Sequence, residues 1–295
     1  SLDIEPRLTF PRRIDQGHVR ARRIQQLALG PAEATAFSAM GRIWITDSET
    51  GSPRRLTSTP RPREFMPTWS PDGAWIAFVT WDETGGHIWK APSNGSGEPT
   101  RLSEGTALWA DPVWTPDGRG LIALRSPLGS MLAASDPGSD AVPSDAKLVY
   151  ISSNGEDMWV LAPAGGARQP HFGADPTQVY LSSDSEGLVS VPVVGGVRRV
   201  VATSEAQGAT LRLSPDGSLI LETRGPEAGI HFVSANELSG GLLTSAQPLA
   251  LPVQSPSLVA WSTDGSHVSA VTGTTLHSID VKDSNGRTST RNLVV

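Results

Sequence analysis

The sequence predicts an all-β protein, a single six-bladed β-propeller of four-stranded antiparallel blades, and three features predict it. A turn motif returns at near-regular intervals. Each return is followed by the same order of short apolar runs and glycine-rich turns. No segment calls for a long helix.

The turn Trp69-Ser70-Pro71-Asp72-Gly73 recurs as Trp114-Thr115-Pro116-Asp117-Gly118 and as Trp261-Ser262-Thr263-Asp264-Gly265. Leu213-Ser214-Pro215-Asp216-Gly217 is a copy without tryptophan, and residues 29–33 and 172–176 are worn copies at comparable places. The six copies are separated by about 40, 45, 58, 41 and 48 residues, the period of propeller repeats. The long interval is explained by an insertion at 126–146, rich in Ser, Pro, Asp and Gly and expected to form a loop.

Blade by blade, the elements follow one grammar. Phe65-Met66-Pro67-Thr68-Trp69 precedes the turn as the innermost strand. Trp75-Ile76-Ala77-Phe78-Val79 comes second, and His87-Ile88-Trp89-Lys90-Ala91 third. Thr100-Arg101-Leu102 is outermost, a meander joined by Gly, Asp and Asn turns. The blades then fall at about 23–58, 64–104, 109–168, 169–205, 208–251 and 255–295 of a single domain, 1–295. Middle strands such as Leu121-Ile122-Ala123-Leu124 are continuous in apolar residues because neighbouring blades cover both faces. Two segments compete to complete the last blade: Arg7-Leu8-Thr9-Phe10, which repeats the Arg-Leu-Thr of 55–57, and 289–295.

Composition narrows the function classes. The net charge is −6 and the basic residues are scattered, so nucleic acid is not an expected partner. No apolar run approaches the roughly 20 residues of a membrane span. The arginine-bearing first 30 residues lack the apolar core of a signal peptide, which leaves the compartment open. Without cysteine there is no disulfide, thiolate metal site or thiol nucleophile.

The repeated Trp-Ser-Pro-Asp-Gly-x-x-Ile-Ala-Phe, followed by Ile88-Trp89-Lys90-Ala91-Pro92 and Arg101-Leu102-Ser103, resembles the WD40-like repeats of TolB-like, prolyl-oligopeptidase and tricorn-type propellers. Together with Val19-Arg20-Ala21-Arg22, residues 166–172 and the Trp261 blade, it is similar to propellers that precede an amidohydrolase domain in large bacterial proteins. The resemblance implies a binding or docking module accessory to a hydrolase outside this chain, in a periplasmic or other extracytoplasmic setting. A freestanding TolB-like interaction module of the cell envelope and a propeller enzyme acting on a carbohydrate or small ester are the alternatives.

Local motifs of zinc hydrolases, serine hydrolases and P-loop enzymes are missing, so no catalytic residue, metal ligand or cofactor is expected of this chain alone. Asp72, Asp117, Asp216 and Asp264 occupy the repeated turn, where aspartate bonds local amides and glycine accepts positive φ. Trp69, Trp114 and Trp261 are expected to pack between blades with their N–H groups paired. The six histidines lie in unrelated phases of the repeat, which argues against a shared metal site. A ligand or partner is expected at the channel mouth, where the innermost strands converge. Glu64, Asp111, Arg168, Gln169, His171, Arg212 and Gln254 are the candidates there, with Gln25, Met66, Trp109, Thr210 and Ser257 as further lining. Arg168, Arg212 and His171 are expected to receive a carboxylate or acidic peptide, opposed by Glu64 and Asp111.

Overall fold

The computed structural model describes residues 24–31, 34–46, 52–58, 62–132, 143–206, 208–223, 230–237, 241–243, 247–248, 258–272, 275–281 and 288–292. Six small sheets are arranged as a β-propeller. Their innermost strands are Leu27–Leu29, Arg63–Trp69, Leu108–Trp114, Arg168–Phe172, Thr210–Leu213 and Leu258–Trp261. From each, an antiparallel meander runs outward. Blade 3 ends with Met158–Pro163, so Arg168 opens blade 4 rather than closing blade 3. Among the described residues, no helix is long and apolar enough to cross a membrane.

The recurring turn is built by one set of bonds. In the first full copy Ser70 Oγ donates to Asp72 Oδ1, which also accepts the Ala74 N–H, while Gly73 takes φ 70°. Asp117, Asp216 and Asp264 repeat the arrangement with Thr115, Ser214 and Ser262 as hydroxyl donors. These bonds to the charged form pull the Asp72 and Asp117 pKa values down, and that of Asp264 to about 2. Only a residue without Cβ takes the fifth position freely, hence the glycine.

Apolar residues from the second and third strands form six cores, one between each pair of adjoining blades. Ala36, Ile43 and Ile45 of blade 1 meet Ile76 and Phe78 of blade 2. Ile122, Leu124 and Leu148 of blade 3 meet Val179, Leu181 and Val189 of blade 4. The last core joins Ile24, Phe37 and Ala39 of blade 1 to Val271 and Leu276 of blade 6, which closes the ring face to face. The fourth strand of blade 6 is Thr288–Asn292, paired antiparallel with Thr275–Asp280. The rival segment at 7–10 and residues 133–142 of the insertion lie outside the described residues.

Two of the three motif tryptophans tie neighbouring blades as their spacing suggests. Trp69 Nε1 donates to Ala28 O of blade 1 and Trp114 Nε1 to Thr68 O of blade 2, both at 3.2 Å. Trp69 also lies flat over Gly30, where a Cβ would come within 2.6 Å of the indole. Trp261 departs from the pattern: its ring packs on Phe232, but its buried Nε1 has no hydrogen-bond partner among the described residues.

Candidate functional site

Three successive innermost strands carry the same irregularity. Met66-Pro67, Asp111-Pro112 and Gln169-Pro170 stand three residues ahead of Trp69, Trp114 and Phe172. Proline has no N–H for the ladder and bars the preceding residue from the right-handed helical region. The strands respond with a bulge. Register shifts occur at all three places, and Met66, Asp111 and Gln169 adopt left-handed φ values of 53°, 48° and 55°. Such backbone costs about 1 kcal/mol in a residue other than glycine and persists where surrounding bonds enforce it.

Those bonds run from blade to blade along the channel wall. The Asp111 N–H donates to Met66 Sδ at 3.2 Å, and the Gln169 N–H donates to Asp111 Oδ2 at 2.9 Å. Each bulged side chain thus receives the backbone amide of the next bulge. The series ends at blade 5, whose strand Thr210–Leu213 has no proline and pairs in unbroken register. Gln169 Oε1 consequently lies buried with no hydrogen-bond partner among the described residues.

At that break stands Arg212, half-buried in the wall. Its Nη1 donates to Val259 O of blade 6 at 3.0 Å, and its buried Nε has no partner among the described residues. Burial pulls its pKa down, and the negative charge of Asp111 pushes it back up. Guanidinium remains charged under such opposing influences. Arg168, beside it, donates from Nη2 to Asp184 Oδ1 at 2.8 Å and approaches Thr210 Oγ1 at 3.5 Å.

His171 takes a different role from the one expected of it. Its Nε2 accepts the Leu213 N–H at 2.9 Å, so the proton sits on Nδ1, which donates to Gln169 O at 2.9 Å. Burial, reinforced by the charge of Arg212, lowers its pKa to about 3. It is a neutral clasp between blades 4 and 5 rather than a cation offered to a ligand. Glu64 also departs from expectation. It is 2% exposed, and its carboxylate accepts from the Ile43 N–H and the Thr57 hydroxyl, sealing blade 1 to blade 2. Alternation along the strand carries it away from the axis. Trp109 is likewise buried in the core between blades 2 and 3. Gln254 and Ser257 lie outside the described residues.

The remaining candidates converge. Gln25, Met66, Asp111, Arg168, Gln169, Thr210 and Arg212 line a central channel of about 960 Å³ bordered by all six innermost strands. His171 reaches its wall. Among the described residues, no three His, Cys, Asp or Glu side chains are grouped so as to hold a metal ion. The bulged series itself was readable in principle, because a proline inside an otherwise regular strand, repeated at one offset from the turn, marks a bulge.

No family model matches the sequence, nor does any curated protein. Solved structures do match. TolB from Acinetobacter baumannii is 17% identical with a TM-score of 0.61 over 93% of this chain, which spans 65% of that longer one. A gluconolactonase from Xanthomonas campestris is 13% identical at a TM-score of 0.60, covering 86% of this chain and 84% of its own. An oligogalacturonate lyase in complex with manganese is 15% identical at a TM-score of 0.58, covering 92% and 77%. What this chain shares with them is the fold. At such identities the likeness extends over TolB, a gluconolactonase and a lyase alike, so function rests on the site.

Proposed function

We propose that the chain is a non-catalytic binding ring that docks a protein partner through an acidic segment entering the central channel, with Arg212 as anchor. The observation that carries this reading is the incomplete pairing of Arg212, a cation held in the channel wall, among the described residues, by one bond to a carbonyl and by the nearby Asp111 charge. Desolvation of such a group is offset when a carboxylate approaches it and makes charge-assisted bonds. Asp111, on the adjoining arc, supplies an acceptor for an N–H group of a peptide that brings the carboxylate. Arg168 adds positive charge on the same side, tempered by Asp184.

On the repeat resemblance, the partner is a hydrolase domain of amidohydrolase type outside this chain, in an extracytoplasmic setting. A freestanding TolB-like module would use the same channel chemistry. The test is fluorescence anisotropy with labelled hexaglutamate and hexalysine peptides. Saturable binding of the acidic peptide is expected, weakened by about tenfold or more in Arg212→Gln, with the melting temperature held within about 2 °C. Equal binding by variant and parent, or by both peptides, would contradict the proposal.

A further inference from the structure

Propellers leave one outer edge per blade, and among the described residues five of the six edges here are blunted. Blade 1 ends in the exposed pair Arg54–Arg55 and blade 2 in Thr100–Arg101. Blade 4 begins its outer strand with Arg199, and Leu242–Leu243 covers that strand in parallel at Thr203 and Ser204. Among the described residues blade 5 shows Gln247–Pro248 at its edge, and blade 6 ends in the polar Thr288–Asn292. Charge, proline, shortness and covering strands are the usual protections of an edge.

Among the described residues blade 3 is the least protected, its proline standing only at the last position of the strand. Its outer strand, Met158–Pro163, is uncharged and begins with three exposed residues, Met158, Trp159 and Val160. Trp159 stacks on Tyr150 with ring centroids 4.0 Å apart, which fixes an aromatic platform that remains 42% exposed. The neighbouring turn of blade 4 adds Val194 and Val197, 83% and 78% exposed. That turn reaches the strand through Gly196, whose N–H donates to Leu161 O, so among the described residues the uncovered edge is Met158 to Val160.

Charge is distributed unevenly along this edge. Glu156 and Asp157 precede the strand and are exposed. At its other end Lys147 lies beside Pro163 and supplies the positive charge, while Arg198, which donates to Ala164 O, is already paired with Glu186. An antiparallel pairing of two such strands about a two-fold axis through Trp159 sets Met158 opposite Val160. It also brings the acidic end of each copy to the basic end of the other. We infer that the blade 3 edge is a self-complementary interface on which two copies of this chain pair strand to strand.

Analytical ultracentrifugation from micromolar to hundreds of micromolar tests this. The intact chain should show a reversible monomer–dimer equilibrium. Val160→Lys should raise the dissociation constant by about tenfold or more, while Met40→Lys, on an exposed apolar residue of blade 1, should leave it unchanged. Circular dichroism on both variants establishes that they are folded. Lys147→Glu and Glu156→Lys should each weaken the dimer, and the two together should restore it. A chain that stays monomeric throughout, or a dimer indifferent to Val160→Lys, would overturn the inference. A double charge swap no better than the single changes would overturn the antiparallel register and the two-fold pairing with it.

Discussion

Between pH 7 and pH 4 the stability advantage of the parent chain over His171→Gln should shrink by about 3 kcal/mol, because an imidazole that titrates near pH 6.5 when unfolded stays neutral to about pH 3 when folded. The sign follows from proton binding. Below pH 6.5 the unfolded chain takes up a proton that the native chain refuses. Stability is therefore fully present above the unfolded pKa and is lost as pH falls towards the folded one. Urea denaturation of both proteins across that range measures the gap directly. His87, also lowered by burial, titrates in both proteins and drops out of the difference. A gap that stays constant would contradict an imidazole held neutral by burial down to about pH 3.

Removing the Glu64 carboxylate should have an effect of similar size with a different signature. Glu64→Ala leaves the buried Ile43 N–H and the Thr57 hydroxyl without this acceptor at the seam between blades 1 and 2. A loss of about 3–5 kcal/mol is expected, equivalent to a fall of about 10 °C in melting temperature for a chain of this size. Glu64→Gln retains an acceptor for Ile43 and an amide that can donate to Thr57, and should recover more than half of the loss. Calorimetry in which alanine costs less than about 1 kcal/mol would contradict the placement of Glu64 as an inter-blade seal.

These two residues also show where the sequence was legible and where it was not. The turns, the blade count and the inter-blade tryptophans at 69 and 114 are local patterns. A Ser or Thr, an Asp and a Gly at fixed spacing form the same bonds wherever they recur. The channel depends on which face of a strand each side chain takes, and a bulge reverses that alternation. Glu64 and His171 both sit on innermost strands, yet one is buried against blade 1 and the other turned into the seam with blade 5. The bulges at Met66, Asp111 and Gln169 decide this. Reading each proline as a register shift would have separated Asp111 and Gln169, which face the channel, from Glu64, which does not. Whether Arg212 would be left incompletely paired depended on Val259 of the next blade, a contact 47 residues away that no local pattern encodes.

The most direct test of the channel as the binding site uses the absence of cysteine from the sequence. A single Thr210→Cys places one thiol on the channel wall beside Arg168 and Arg212, and Ser96→Cys places one on an exposed outer turn of blade 2. Alkylation rates are then measured with and without saturating hexaglutamate. Protection of the thiol at 210 by about tenfold, with the thiol at 96 unaffected, is the predicted result. Equal alkylation of both sites with and without peptide would place binding elsewhere and contradict the account.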